Sequence, residues 1–141
     1  MQTINQIEVA LPQEKVAELY TCPDLLPAWS PGFLSLEVLH KGSSDRLPTF
    51  RQRYTAMGRD IEEIITLVEN NLPSGFVVLA ENGRTLTRES RITFGPLGDS
   101  AAQIKVLNTY NGEWVVHLVQ EDLHSYTQQF LEAFRVFAES K

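Results

Sequence analysis

The sequence is poor in the residues that build disulfide frameworks, metal clusters and nucleic-acid surfaces. Its one cysteine, Cys22, excludes an internal disulfide and any cysteine-based zinc cluster. Basic residues are outnumbered, 12 Lys and Arg against 18 Asp and Glu, for a net charge of -6. Phosphate binding wants a basic face, so nucleic acid is not an expected partner. No apolar run approaches the ~20 residues of a membrane-spanning helix. The opening Met1-Gln-Thr-Ile-Asn-Gln6 lacks the charged-then-apolar build of a secretory leader, and the expected location is the cytoplasm. The histidines, His40, His117 and His124, are scattered over three elements. Even on one helix, the last two would stand about two turns apart, too far to bind one metal. No Ser-His-Asp, Cys-His or phosphate-loop arrangement is readable, and no catalytic residue, metal ligand or cofactor is assigned.

What is present is an apolar inventory ordinary for a folded protein: 43% hydrophobic and 21% charged residues in a chain of 141. That length suits one domain over 1–141 with a core that needs no staples. The densest signal is the run from Asp122 to Ser140. Leu123, Tyr126, Phe130, Phe134 and Phe137 recur at steps of three and four, a stripe along one face of a helix. Gln128, Gln129, Glu132, Arg135 and Glu139 take the other side. So large an aromatic stripe requires a broad apolar surface to lie on.

The middle of the chain supplies one. Thr3 to Leu11 alternates Ile7, Val9 and Leu11 as a strand, and Pro12 opens a helix over Gln13–Tyr20. Cys22 to Gly32 holds three prolines and allows one short helical turn, with Asp24 as its expected cap. From Phe33 the period changes to two. Strands are expected from Phe33 through Val38, over Phe50–Gly58 and over Asp60–Asn70. Three more follow at Phe76–Ala80, Leu86–Phe94 and Ala101–Tyr110. Turns fall at Lys41–Asp45, Met57–Asp60, Asn70–Gly75, Glu81–Arg84 and Gly95–Asp99. Glu113 to Val119 reads either as the second strand of a hairpin after Asn111-Gly112 or as a backward extension of the last helix.

The order of elements, together with Ala10-Leu-Pro-Gln-Glu-Lys-Val16 and Leu26-Pro-Ala-Trp-Ser-Pro-Gly32, resembles the START-like, polyketide cyclase/dehydrase and lipid-transport superfamily (SRPBCC). Gly58-Arg-Asp-Ile-Glu62, Glu69-Asn-Asn-Leu-Pro73 and Gly112-Glu-Trp114 are further points of likeness, and they favour helix over strand at Glu113–Val119. The resemblance implies an α+β helix-grip fold. In it, a curved antiparallel sheet of six or seven strands wraps a long C-terminal helix, with two short helices after the first strand. It implies a cavity between sheet and helix for a hydrophobic small molecule such as a lipid, quinone or polyketide-like compound. A cyclase/dehydratase-type enzyme and a co-chaperone-like interaction module are the alternatives, and a homo-oligomer is compatible with each.

Strand parity nominates the lining. Val106 and Tyr110 share a face with Ala102 and Ile104; Arg88, Ile92 and Phe94 share one with Ser90; Phe76 and Val78 share one with Ala80. Tyr54 goes with Ala56, opposite Arg51 and Arg53. Trp29 from the loop and Tyr126 and Phe130 from the helix complete the expected ligand-binding set. Asp60–Asn70 is apolar on both faces, Ile61/Ile65/Leu67 and Ile64/Val68, and leaves its inward side open. Arg51, Arg53 and Arg59 beside Glu62, Glu63 and Glu69 are expected to form ion pairs on the convex face. Trp29 either covers the cavity mouth or plugs the core. Arg88 either meets a carboxylate, from a ligand or an internal glutamate, or extends to water from a strand end.

Overall fold

The computed structural model describes residues 1–83 and 85–141. β1 (Gln2–Val9) leads to α1 (Gln13–Tyr20), and a 3-10 turn at Pro23–Leu25 runs into α2 (Leu26–Trp29). Six strands follow: β2 (Phe33–His40), β3 (Thr49–Ala56), β4 (Arg59–Asn71), β5 (Gly75–Asn82), β6 (Leu86–Pro96) and β7 (Ala102–Asn111). A second 3-10 turn at Glu113–His117 precedes α3 (Gln120–Glu139). The strands form one antiparallel sheet in the order β1-β7-β6-β5-β4-β3-β2. This is the helix-grip arrangement, a curved sheet around the C-terminal helix.

Local chemistry sets the connections. Met57 and Gly58, at φ 52° and 77°, form the two-residue turn between β3 and β4, whose twist matches that of the flanking strands. Of the turn expected at Glu81–Arg84, Arg84 lies outside the described residues. Gly32 enters β2 at φ 70°, and a Cβ there would stand 2.1 Å from the Thr55 carbonyl oxygen. That close approach fixes the end of α2, and with it Trp29, against β3. The Pro23–Leu25 turn has Cys22 at its N-cap and no side-chain cap, so Asp24 does not serve as one.

β1 buries Thr3, Asn5, Ile7 and Val9 on alternate positions, while Leu11 falls beyond the strand and packs at the core's margin. Because β1 is a sheet edge, its outward backbone groups need partners, and α3 supplies them. Gln120 Nε2 donates to the Gln2 carbonyl (2.7 Å) and Gln128 Nε2 to that of Gln6 (3.3 Å). Asn5 Nδ2 donates in turn to the His124 carbonyl and to Gln128 Oε1, both at 3.0 Å. The Ala10 amide closes the far end on Glu139 Oε2 at 2.8 Å.

The helix face centred on this contact is Leu123, Thr127, Leu131, Phe134 and Ala138, all buried. Tyr126, Phe130 and Phe137 therefore flank the contact rather than forming its ridge. Thr127 and Ala138 are the small members of this face, and Thr127 meets Asn108 on β7 rather than β1. Phe134 and Leu131 are fully buried in a core shared with α1 and with the inward residues of β6 and β7. Tyr20 and Trp29 pack on Phe134 with ring centroids 5.0 and 4.9 Å away.

Glu113–Val119 is neither a strand nor a continuation of α3. Gly112, at φ 117°, abuts the Thr85 carbonyl, and that carbonyl accepts the Trp114 amide at 3.0 Å. The pinned turn unwinds at Leu118 and Val119, which are extended, so His117 does not share a helix with His124. At the opposite sheet edge, β2 carries register shifts at Phe33/Ser35 and Val38/His40 and leaves Leu34 and Val38 about half exposed.

Phe134→Ala is expected to cost about 3–5 kcal/mol, the usual loss for emptying a fully buried aromatic site. Urea unfolding followed by circular dichroism measures it, and a loss below about 1 kcal/mol would mean that this contact does not hold the helix.

Candidate functional site

Held along β1, α3 faces the far half of the concave sheet across a gap. The gap is a cavity of about 270 Å³. That is just below the roughly 300–1,000 Å³ usual for small-molecule sites, and equals about nine water-sized volumes. The sheet contributes Tyr54 from β3, Phe76 and Val78 from β5, Arg88 and Ile92 from β6, and Val106 and Tyr110 from β7. Trp29 enters from α2, and Tyr126 and Phe130 from α3. Phe94 does not line it. It is buried in the core behind, with Tyr20 at 5.5 Å and Phe76 at 6.2 Å, because β6 has passed under α1 by that point. Trp29 both plugs and lines: its ring is 6% exposed, packs on Phe130 and Phe134 at 4.9 Å each, and forms part of the cavity wall.

Parity had left β4 open, and the structure turns its odd positions inward. Ile65 lines the cavity, and Glu63, of the same parity, is buried on the concave side at 6% exposure. The expected place of Glu63 among convex ion pairs is thus corrected. The convex pairs are Arg51 with Glu37 and Glu62, and Arg91 with Glu69. The last spans Val77, whose strand neighbours are Glu69 and Arg91, and so buries a valine on the outer face.

Glu63 is the partner of Arg88. Nη1 of Arg88 donates to Oε2 at 3.0 Å and Nη2 to Oε1 at 3.3 Å, a two-pronged pair. Arg88 stands opposite Ala80 on β5, and that small residue lets the guanidinium reach across to β4. Arg88 therefore does not run out to water. Its Nε donates to Ser90 Oγ at 3.0 Å, Ser90 donates to Asn108 Oδ1 at 2.6 Å, and Asn108 Nδ2 donates to Thr127 Oγ1 at 3.4 Å. A polar ladder thus crosses β4, β6 and β7 to α3. The Tyr54 hydroxyl lies 3.5 Å from Arg88 Nη1, a long contact at the ladder's end.

Sequence reasoning missed Glu63, Ser90, Asn108 and Thr127 as members of one network. A signal for Glu63 was there: an inward arginine needs an inward acid, and Glu63 shares its parity with Ile61 and Ile65.

All four tyrosines of the chain, Tyr20, Tyr54, Tyr110 and Tyr126, line the cavity. Burial pushes each phenol up from its ordinary value near 10, with the Arg88 charge pulling back in every case. For Arg88, burial alone would lower the pKa, but the Glu63 carboxylate, with Tyr54 and Tyr110, more than reverses this and holds the guanidinium charged. Among the described residues, no group of three or more His, Cys, Asp and Glu could hold a metal, and no helix is long and apolar enough to cross a membrane.

The chain matches no family model and no curated protein sequence. Solved structures do share its fold. A protein of Thermus thermophilus superposes with a TM-score of 0.79 at 19% identity, covering 100% of both chains. A START superfamily protein from Mycobacterium smegmatis gives 0.77 at 16%, covering 99% of this chain and 94% of its own. The Zhui aromatase/cyclase from Streptomyces sp. R1128 gives 0.75 at 14%, covering 99% and 93%. At these identities the likeness shows the fold alone, a curved antiparallel sheet around a long C-terminal helix.

The tyrosines make the cavity titratable. In the unfolded chain they ionise near pH 10, whereas the folded chain holds their protons to higher pH. Above about pH 10 the unfolded state is therefore the poorer proton binder, so stability, undiminished below that pH, falls as pH climbs toward the folded values. Absorbance at about 295 nm should show no tyrosinate before alkaline unfolding begins. Tyrosinate forming near pH 10 with the fold intact would show that the cavity is open to bulk water.

Proposed function

We propose that this protein binds, and thereby carries or sequesters, a hydrophobic small molecule such as a lipid, quinone or polyketide-like compound between the sheet and α3. The reading takes residues 1–141 as one ligand-binding domain working in the cytoplasm, and a homo-oligomer is compatible with it. The observation that carries it is the cavity, apolar and aromatic on most of its wall. Arg88, Ser90, Asn108 and Thr127 gather on one ladder, and among the described residues only Ser30 and Gln52 are polar outside it besides the tyrosine hydroxyls. Orienting a bound molecule takes only a few such groups, while apolar contact supplies the affinity.

A cyclase/dehydratase reaction is the second reading, favoured by two convergent ionisable groups, Glu63 and Arg88. Proton transfer is most efficient from groups whose pKa lies near the working pH. Here the two charges are spent on each other, and burial makes the surrounding phenols weaker acids than usual. Those features support binding over catalysis.

Native mass spectrometry of freshly purified protein is expected to show a co-purifying small molecule, or uptake of an added neutral apolar compound such as naphthalene at one per chain. Val78→Phe places a ring in the cavity at a half-buried wall position. It should abolish the adduct while leaving the melting temperature unchanged or higher. A chain that takes up nothing, or a variant that loads as well as the parent, would sink the carrier reading.

A further inference from the structure

The carrier reading leaves the chemistry of the ligand open, and the charges around the cavity narrow it. Among the described lining residues, Arg88 alone carries a formal charge. Glu63 does not line the cavity. It sits behind Arg88 with its side chain 7% exposed, against 22% for Arg88, and takes both prongs of the guanidinium. A molecule in the cavity therefore meets a cation whose charge is already matched, with a buried carboxylate behind it. A ligand carboxylate would gain little from Arg88, would feel the repulsion of Glu63, and would lose its own hydration.

A neutral oxygen meets the opposite situation. Arg88 uses Nε on Ser90 and one N–H of each terminal nitrogen on Glu63, and only the long contact to Tyr54 draws on the rest. Tyr54 and Tyr110 from the sheet and Tyr126 from α3 line the same cavity, and their hydroxyls stay protonated, so they are donors too. The opposite side of the space is built of rings: Trp29, Tyr20, Phe76 and Phe130, with Trp29 and Phe130 packed edge-on at 4.9 Å. Flat aromatic surfaces pack on such a wall with added preference beyond their area. A volume of about 270 Å³ is short of the usual range for drug-sized ligands, which suits a compact ring system better than a long chain.

We infer that the ligand is a neutral, planar compound of one or two rings bearing a hydroxyl or carbonyl oxygen, and that the Glu63–Arg88 pair sets this preference by rejecting carboxylates. Glu63 acts as a positioning residue. It cancels the charge of Arg88 without touching the ligand, so the cavity selects for polarity without selecting for charge. This rests on the carrier reading and adds to it the class of molecule carried.

Isothermal titration calorimetry at about pH 7 with 2-naphthol, 2-naphthoate and naphthalene tests it. These probes share one ring system and differ in the neutral oxygen, the anion or neither. The intact protein should bind 2-naphthol at least tenfold more tightly than 2-naphthoate, with naphthalene between. Glu63→Gln keeps the shape and frees the Arg88 charge, and should invert the order. Adding Arg88→Gln to it restores a neutral cavity and should again disfavour 2-naphthoate by about tenfold.

Equal or tighter binding of 2-naphthoate by the intact protein would overturn the inference, as would a folded Glu63→Gln variant with no gain for it. Should that single variant fail to fold, Arg88→Gln alone leaves the Glu63 carboxylate unmatched and should disfavour 2-naphthoate further than the double variant does; equal discrimination by the two would overturn the role of Glu63. If naphthalene itself stays out, the carrier reading fails. If naphthalene enters but the two oxygenated probes are not discriminated, only the ligand class is wrong.

Discussion

The structure depends on α3 being fastened to one edge of the sheet rather than seated at its middle. Amide side chains of α3 bond the outward carbonyls of β1, and Asn5 of β1 bonds back to His124 and Gln128 of the helix. An edge strand normally leaves such groups to water or to another chain. Satisfying them from the helix fixes where α3 lies. A curved sheet cannot follow a straight helix across its full width, so anchoring at β1 forces a gap beside β3, β4 and β5. The cavity is the geometric remainder of that anchoring.

What fills the remainder's wall follows from the twofold alternation of strands. The concave face presents large rings near α1 and α2 and a polar ladder from Arg88 to Thr127. Burying an arginine beneath a sheet is costly unless its charge and donors are matched. Glu63 and Ser90 match them, and Ala80 leaves the room needed for Arg88 to reach Glu63. The same pairing determines what the cavity offers a guest: donors and aromatic surface, with no unspent charge. The proposed binding and the stability thus draw on one cluster. The protonated tyrosines belong to it, since burial that keeps them neutral also keeps them as hydrogen-bond donors.

Much of this was legible in the chain. β7 sets Ala102, Ile104 and Val106 against Gln103 and Lys105. The inward parity expected of β5, β6 and β7 holds in the sheet, in β5 without any polar residue between Phe76 and Ala80 to mark it. α1 was bounded correctly because Pro12 can open a helix but cannot extend one backwards. The α3 stripe was real but displaced. Aromatic residues drew attention to Tyr126 and Phe130, whereas the buried face runs through Leu123, Thr127, Leu131, Phe134 and Ala138. Side-chain size marks what is worth burying, but not which face of a helix the sheet covers. Phe94 was misplaced for a related reason: parity gives the face of a residue but not how far along the strand the cavity extends.

The sequence by itself determined the order of elements, the face each regular strand turns inward and the aromatic supply for a core, because those follow from periods of two and 3.6 in a single chain. It left β4 and the stretch after Gly112 undecided. β4 is apolar on both faces, and Glu113–Val119 fits more than one period. Only the folded sheet settled them. β4 is held in register by β3 and β5, which turns Glu63 toward Arg88, and the Thr85 carbonyl holds Trp114 in a 3-10 turn separate from α3. Both outcomes depend on partners distant in sequence, whose positions no local pattern contains.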